Sequence, residues 1–338
     1  MKLIIPMAGR GSRLRPHTLT TPKPLISIAG KSIVARLIND AAKLVNEPIE
    51  EMAFIVGSPL FFGKDVINEL ENIAKSHNSK ARIYRQLNPL GTGHAIMCAE
   101  ESLQGKALVI YPDTLIRTNE SFDKSADAVI WTKQVANPEA YGVVKLNANG
   151  EIIDLIEKPS DFISDFAVIG IYYFKEIGQL KEQLKIVIKN NTTHSGEFQI
   201  NDGLLGMMAK GKLFKVGKVT AWLDCGNVKS TISSNKEMLN FLLEDKEELI
   251  SDNINLINSK LIEPCYISSN VVIENSTIGP HVSVNSNSKI SNSTLSNSIV
   301  GENTILSNAT IKNSMIGNNC KYDGRHNEIN IGDFSELI

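Results

Sequence analysis

Four cysteines in 338 residues (Cys98, Cys225, Cys265 and Cys320) form no C-x-x-C pair, so adjacent thiols cannot build a zinc ribbon or a thioredoxin-type redox pair. Thiols scattered in this way read as small apolar fillers and suit a reducing compartment; a cytoplasmic protein is expected. Neither charge sign is in excess. The 35 Lys and Arg against 37 Asp and Glu leave a formal charge of −2, which gives no global field for nucleic acid or an anionic membrane. Long apolar runs are missing too. Only Lys2 precedes "LIIPMAGRG", and Pro6 and Gly9 interrupt it, so no secretory leader is expected. No stretch approaches the roughly 20 apolar residues of a membrane span. What the chain does have is a hydrophobic fraction of 42%, enough for a substantial core spread over one large domain or two.

Up to about residue 130 two periods alternate. Leu3–Ile5, "MAFIVG", "ARIYRQ" and "ALVIYPDT" are short apolar runs ended by Gly, Pro or polar residues, as buried strands are. Between them, Ile33, Val34, Leu37, Ile38, Ala41, Leu44 and Val45 follow helical spacing, as do Val66, Ile67, Leu70, Ile73 and Ala74, and "HAIMCAEESL". Such alternation predicts an α/β, Rossmann-like, mostly parallel sheet with ligands outside its C-terminal strand ends. The middle of the chain reads as more antiparallel. "YGVVKLNANGEIIDLIEKP" predicts a hairpin turning at Asn149-Gly150, "FAVIGIYYF" a strand, "QLKEQLKIVIKN" a helix, "KLFKVGKVTAWLDCGN" a returning strand, and residues 229–247 a helix.

From Ser251 to Cys320 the chain turns rich in Asn and Ser and poor in charge. Apolar residues recur at Ile273, Ile278, Val284, Ile290, Leu295, Val300, Leu306, Ile311, Ile316 and Tyr322, in steps of five or six. A disordered linker has no need of that spacing. It predicts a stacked β-solenoid of about three coils, three short strands to a coil, with Asn in left-handed corners. The expected organisation is a catalytic domain over 1–245, a linker over 246–253, the solenoid over 254–325 and a tail over 326–338.

The first strand runs into "PMAGRGSRLRPHTLTTPKPL". Gly9 and Gly11 give G-x-G, but Leu14 takes the third glycine place of a dinucleotide fingerprint, and "AFIVGSP" ends without a ribose-binding acid. The G-x-x-x-x-G-K-[ST] phosphate loop is absent. Two readings remain: a solvated basic turn, or a loop whose N–H groups wrap a triphosphate while Arg10, Arg13, Arg15 and Lys23 neutralise it.

The same loop resembles the signature of the sugar-1-phosphate nucleotidyltransferases, G-x-G-[ST]-R-L-x-P followed by P-K. Further fragments occur in that family's order. "QLNPLGTGHAI" is similar to its nucleobase segment, "YPDT" and "WLDCGN" to its two metal-binding aspartates, and "YGVV" and "EKP" to its sugar and sugar-phosphate segments. A left-handed hexapeptide-repeat β-helix behind the catalytic domain is also familiar in the family. Two places depart from the pattern: Arg10 stands at the second of two glycines, and Pro112 precedes the first aspartate.

The resemblance implies transfer of a nucleotidyl group from a nucleoside triphosphate to a hexose or hexosamine 1-phosphate, with release of pyrophosphate and help from Mg²⁺. UTP and dTTP are favoured over GTP. Arg13 and Lys23 would be catalytic. Ala8, Gly9, Gly11, Ser12, Gln86, Pro89, Gly91 and Thr92 would bind nucleotide, with the Gln86 amide reading a pyrimidine edge through a donor and an acceptor. Tyr141, Gly142, Glu157, Lys158 and Glu197 would bind the sugar phosphate, and Asp113 and Asp224 the metal. Plainer roles compete: a salt-bridged hairpin for Glu157 and Lys158, a helix cap for Glu197, and core packing for His94 and Trp222.

Two other functions stay open. Solenoids of this kind often carry acyltransferase sites, but His281 and His326, the only histidines of the tail, have no catalytic context. A sugar-nucleotide sensor would need binding without the full charge set. The solenoid is expected to serve assembly of a homo-oligomer or regulation.

Overall fold

The apolar run at the amino end becomes an interior strand because Leu3, Ile4 and Ile5 are wholly buried on both faces. This strand, β1 (Lys2–Pro6), is followed by a hairpin of β2 (Ser27–Ile28) and β3 (Lys31–Ser32) and then by α1 (Ile33–Val45). Next come β4 (Glu51–Val56), α2 (Lys64–Ser76), β5 (Lys80–Arg85), α3 (Thr92–Met97), β6 (Ala107–Ile110), β7 (Thr114–Arg117) and β8 (Ala128–Gln134). After these the chain forms β9 (Gly142–Leu146), β10 (Ile152–Glu157), β11 (Phe166–Phe174), α4 (Gly178–Lys189), α5 (Ile200–Ala209), β12 (Phe214–Lys218), β13 (Ala221–Asp224) and α6 (Val228–Glu244). This computed structural model describes residues 1–194 and 196–325; His326 and the expected tail lie outside the described residues.

One sheet carries nine of these strands, in the order β10-β9-β11-β6-β1-β4-β5, with β8 on β11 and β12 on β8. The pairs β1–β4, β1–β6 and β4–β5 are parallel. Strand β11 reverses direction against β6, β8 and β9, so the sheet is parallel on one side and antiparallel on the other. The C-terminal ends of the parallel strands deliver Ala8, Gly57, Gln86 and Asp113 to one edge, where open sheets of this class bind ligands. Below that edge, Ile4, Ile55, Val109, Ile130 and Phe174 pack with Ile96, Leu180, Leu184 and Leu204 into one core.

The sequence reading needs correction in several places. "HAIMCAEESL" is not one helix: α3 begins at Thr92 and stops at Met97, and a separate tight turn covers Glu100–Ser102. "KLFKVGKVTAWLD" makes two strands, β12 and β13, broken at Val219-Thr220. Strand β8 and helix α5 were not expected at all. In α5, Gly203 and Gly206 lie where a Cβ would meet Leu180, Leu184 and Gln183, so the helix exists because it packs closely on α4.

The chain divides into two compact units. The first holds Met1–Gly9 and Leu37–Trp222; the second holds Arg10–Arg36 and the chain from Leu223 onward. In the second unit, α6 opens with a capping box between Asn227 and Ser230 and leads into a left-handed parallel β-helix. Among the described residues its strands form three parallel sheets of five, four and four members. The apolar columns stack in register: Ile273, Ile290 and Leu306; Ile278, Leu295 and Ile311; Val284, Val300 and Ile316. The solenoid is therefore longer than three coils. A first coil through Leu256, Leu261 and Ile267 pairs with the second, although Lys260, Glu263 and Pro264 disguise it in sequence.

The corners repeat one device. Asn270, Asn275, Asn287, Asn292, Asn303 and Asn308 all have φ between 47° and 58°. Their amides hydrogen-bond from coil to coil, as in Asn253–Asn270–Asn287–Asn303. Asparagine accepts the left-handed backbone because its short amide bonds locally.

Candidate active site

The expected nucleobase segment is a hydrogen-bonded lattice. Gly91 has φ +101°, and a Cβ there would lie 2.5 Å from the Phe198 carbonyl oxygen and 2.9 Å from Glu197 Cβ. Glycine is thus required by both conformation and space. Phe198 N donates to Leu90 O (2.8 Å), Gly93 N to Phe198 O (2.8 Å), and Thr92 Oγ1 to Gln199 Oε1 (3.1 Å) while accepting from Ile200 N (3.0 Å). These bonds bring Glu197 beside Gly91 and Thr92. Glu197 does not cap α5, whose N-cap is Gln199. Pro89 is exposed.

Gln86, only 9% exposed, is held by the same lattice. Its Nε2 lies 3.0 Å from Gly91 O and 3.0 Å from His94 Nδ1. A carbonyl oxygen can only accept, so the amide nitrogen must be the atom that faces Gly91. Its second hydrogen then goes to His94 Nδ1, which requires the ring proton on Nε2. Burial lowers the His94 pKa and keeps the ring neutral. The amide thus has Oε1, an acceptor, left for a ligand. The paired donor and acceptor expected from the sequence narrow to an acceptor.

Asp113 leaves β6 through a three-residue turn in which its N–H donates to Tyr111 O at 2.9 Å. Pro112 sits in the middle of that turn, where the fixed proline φ is suited. Tyr111 N donates to Gly170 O (3.0 Å), at the register shift of β11, where Gly170 has φ +80°. Tyr111 and Tyr172 meet edge-to-face with ring centroids 6.2 Å apart. The Tyr172 phenol is pushed up by burial first, then by the carboxylates of Glu157 and Asp113. Asp113, just past the Tyr111–Gly170 bond, and Glu157, opposite Gly142 on β9, thus come from the two halves of the sheet to neighbouring levels of β11.

Glu157 ends β10 opposite Gly142 on β9. A Cβ on Gly142 would lie 2.7 Å from Glu157 Oε2, so the missing side chain makes room for the carboxylate. Lys158 N donates to Tyr141 O (3.0 Å), and Lys158 itself has φ +45°, a strained value for a residue with a Cβ. Both Glu157 and Lys158 are exposed, and among the described residues no ion pair joins them. Tyr141 stands edge-on to Trp222 at 5.3 Å, and the Trp222 indole N–H donates to Thr114 Oγ1.

In the second unit, Gly11 (φ +66°) starts the tight turn Ser12–Leu14 and puts Arg13 at the surface, with Leu14 buried beneath it. A Cβ on Gly11 would come 2.7 Å from Lys23 Cβ, and Thr18 Oγ1 donates to Gly11 O (2.7 Å), so Arg13 and Lys23 ride on one folded loop. Lys23 begins the turn Lys23–Leu25 between Pro22 and the buried Pro24. Asp224, at the end of β13, accepts from Gly226 N (2.9 Å), and its carbonyl accepts from Ser234 Oγ (2.6 Å). Ala8 and Gly9 close the β1 stretch of the first unit.

Among the described residues no group of three or more His, Cys, Asp or Glu could hold a metal. The donors expected from the sequence, Asp113 and Asp224, are hard carboxylates. That donor set fits Mg²⁺, which keeps waters and takes substrate phosphate rather than an all-protein cage. Sequence reasoning did not find Tyr172, Gln199 or the tie between His94 and Gln86. Tyr172 lies in a segment read only as strand, Gln199 two residues past Glu197 in a segment read for its acid alone, and the third needs coordinates.

Among curated proteins the chain resembles the bifunctional protein GlmU of Methanococcus maripaludis, 32% identical over 269 residues, 78% of this chain and 60% of the relative. The chain thus spans about three fifths of that relative's length. A glucose-1-phosphate thymidylyltransferase of Streptomyces antibioticus is 27% identical over 314 residues, covering 84% of this chain and 82% of its own length. Among solved structures, a UDP-glucose pyrophosphorylase complexed with UDP-glucose aligns with a TM-score of 0.58 at 26% identity, over 71% of this chain and 98% of the other. The model of the nucleotidyl transferase family matches residues 2–240, and the chain belongs to that family.

Proposed function

We propose that this protein transfers a nucleotidyl group from UTP or dTTP to a hexose or hexosamine 1-phosphate. An oxygen of the sugar phosphate attacks the α-phosphorus in line, the bond from α-phosphorus to the bridging oxygen breaks, and pyrophosphate leaves. The attacking phosphate is largely ionised near neutral pH, so no general base is required. Positioning and positive charge carry the rate. Arg13 and Lys23 supply that charge on the triphosphate, with Gly9, Gly11 and Ser12 offering backbone N–H groups. Lys158 takes the sugar phosphate, and Glu157 and Glu197 take sugar hydroxyls beside Tyr141 and Gly142.

The observation that carries the reading is the strand order β10-β9-β11-β6, which brings Glu157, opposite Gly142, and Asp113, just past the Tyr111–Gly170 bond, to neighbouring levels of β11. One is an acid of the antiparallel half, expected at the sugar, and the other an acid of the parallel half, expected at the metal. Nucleotidyl transfer in this family runs with a divalent metal. Mg²⁺ is the ion the donors suit, with Asp113 and Asp224 as its ligands; when bound it neutralises phosphate charge. Gln86 turns an acceptor oxygen toward the base. An Oε1 acceptor matches the N3–H of uracil and thymine and opposes the N3 lone pair of cytosine. Relatives named for thymidylyl transfer and for UDP-glucose agree with that preference.

The test is pyrophosphate release over five triphosphates crossed with hexose and hexosamine 1-phosphates, with Mg²⁺ and with chelator. Metal-dependent release with UTP or dTTP is expected. Silence across the matrix, with tight binding of a nucleotide sugar, would replace this reading by the sensor. A second activity has one observation in its favour, the word bifunctional in the relatives' name. Against it, the His281 ring is tied through Nε2 to Asn240 Oδ1 at 2.9 Å. Release of CoA from acetyl-CoA with amino-sugar phosphates decides the matter.

A further inference from the structure

We infer that the solenoid-bearing unit holds the triphosphate loop in its working shape, with Asn235 of α6 as the positioning residue. This role rests on the reading of Arg13 and Lys23 given above. The loop segment Arg10–Arg36 clusters with the chain from Leu223 onward, although it follows directly on β1. The links can be followed residue by residue inside that unit. Arg13 sits on the Gly11 turn, and the Gly11 turn rests on Lys23. The Lys23 turn closes through Ile26 N to Lys23 O (3.1 Å), and Ile26 O in turn accepts from Ile33 N (3.0 Å), across the base of the β2–β3 hairpin.

The tip of that hairpin is the anchor. Ala29 and Gly30 have φ +45° and +87°, the two positive values of a tight two-residue turn. Ala29 carries a Cβ, so the turn is strained and needs outside support. Ala29 N donates to Asn235 Oδ1 at 2.9 Å, and Ser283 Oγ of the solenoid donates to the same oxygen at 2.8 Å. Arg36 holds the turn from the other side, giving Nε to Ile28 O (2.6 Å) and a second bond to Ala29 O. Gly30 lies against the Tyr266 ring so closely that a Cβ would stand 2.1 Å from it. Ser27 Oγ donates to Asn285 Oδ1 (3.0 Å), whose Nδ2 donates to Val300 O (2.9 Å).

Asn235 is wholly buried, and its Nδ2 has no partner among the described residues. A residue present only to fill the core would not leave a buried donor unmet. Its acceptor oxygen alone explains it, and that oxygen joins the loop hairpin to a solenoid coil. Asn235→Ala removes the acceptor; Asn235→Asp keeps an acceptor oxygen and puts a second carboxyl oxygen, protonated at the low end of the assay pH range, in place of the unmet donor.

The experiment compares wild type, Asn235→Ala, Asn235→Asp, Gly30→Ala and Gly30→Ala/Tyr266→Ala as full chains. Four quantities are read: kcat, KM for each substrate, melting of the whole protein, and the rate of tryptic cleavage after Arg10 and Arg13. The bonds before Pro16 and Pro24 resist trypsin. Asn235→Ala is expected to lower kcat about 10-fold or more and to raise KM for the triphosphate, with KM for the sugar phosphate within about twofold. Tryptic cleavage of the loop should speed up by a similar factor. Asn235→Asp should recover most of both effects. Gly30→Ala should act in the same direction, and removing the Tyr266 ring should restore part of the loss. Unchanged kinetics and cleavage in Asn235→Ala and Gly30→Ala would overturn the inference, as would losses that follow unfolding alone. If the wild type releases no pyrophosphate, the catalytic reading fails, and the tryptic comparison still decides the positioning role.

Discussion

The sheet and the solenoid use polar residues in opposite ways. Around the sheet edge every polar contact occurs once: one Gln86 amide between Gly91 and His94, one Glu157 opposite one Gly142. In the solenoid one contact recurs, with asparagine over asparagine from coil to coil. Single contacts depend on residues far apart in sequence and specify chemistry. Repeated contacts depend on the neighbouring coil and specify stability. Substitutions in the first region should therefore cost rate without cost in folding, and those in the second the reverse.

The largest effect is expected at the charged loop. Lys23→Ala or Arg13→Ala should lower kcat by about 10²-fold or more, the scale of a lost charge-stabilising donor, with melting unchanged. A loss below threefold would remove these residues from the chemistry. Next is Gly142→Ala, whose Cβ collides with Glu157 Oε2. It should cut kcat/KM for the sugar phosphate about 10-fold or more, with KM for the triphosphate within twofold. Equal losses for both substrates would break the assignment of Glu157 to the sugar.

In the solenoid the balance turns over. Leu295 is fully buried in an apolar column, and Leu295→Ala should cost about 2–5 kcal/mol by denaturant titration, with kcat at 25 °C retained. Smallest is Asn292, with φ +48° and amide bonds to Asn275 and Asn308. Asn292→Ala should cost about 1–2 kcal/mol and Asn292→Gly less, because glycine removes the left-handed penalty and loses only the amide ladder. Equal costs would assign the whole effect to the ladder.

This contrast also explains what could be read from sequence. The inward columns were visible because each of Ile273 to Ile316 repeats at five or six residues and packs on the coil next to it. The first coil lies inside the expected 254–325 but outside the counted columns, because Pro264 and its charged neighbours break the composition although Leu256, Leu261 and Ile267 keep the spacing. In the sheet, β1, α1 and β11 carry their own period, and Asn149-Gly150 announces its hairpin. Helix α5 has no such local signal: its two glycines favour helix only against α4. Residues Gln86, Asp113 and Glu157 stood out through their motifs. The partners that hold the first two, His94 and Tyr111, depend on strand order and register, which no short fragment encodes.

The split of the second unit has a consequence for synthesis. Leu37–Trp222, 186 residues, lie between the hairpin tip and the helix and coils that hold it. At about 5–20 residues per second, a ribosome needs roughly 10–40 s to cross that interval. During that time the arginines have left the ribosome while Asn235, Ser283 and Tyr266 are still untranslated. These early cations are thus among the last to be set, and an unfinished chain carries its phosphate-binding charges without the scaffold that aims them.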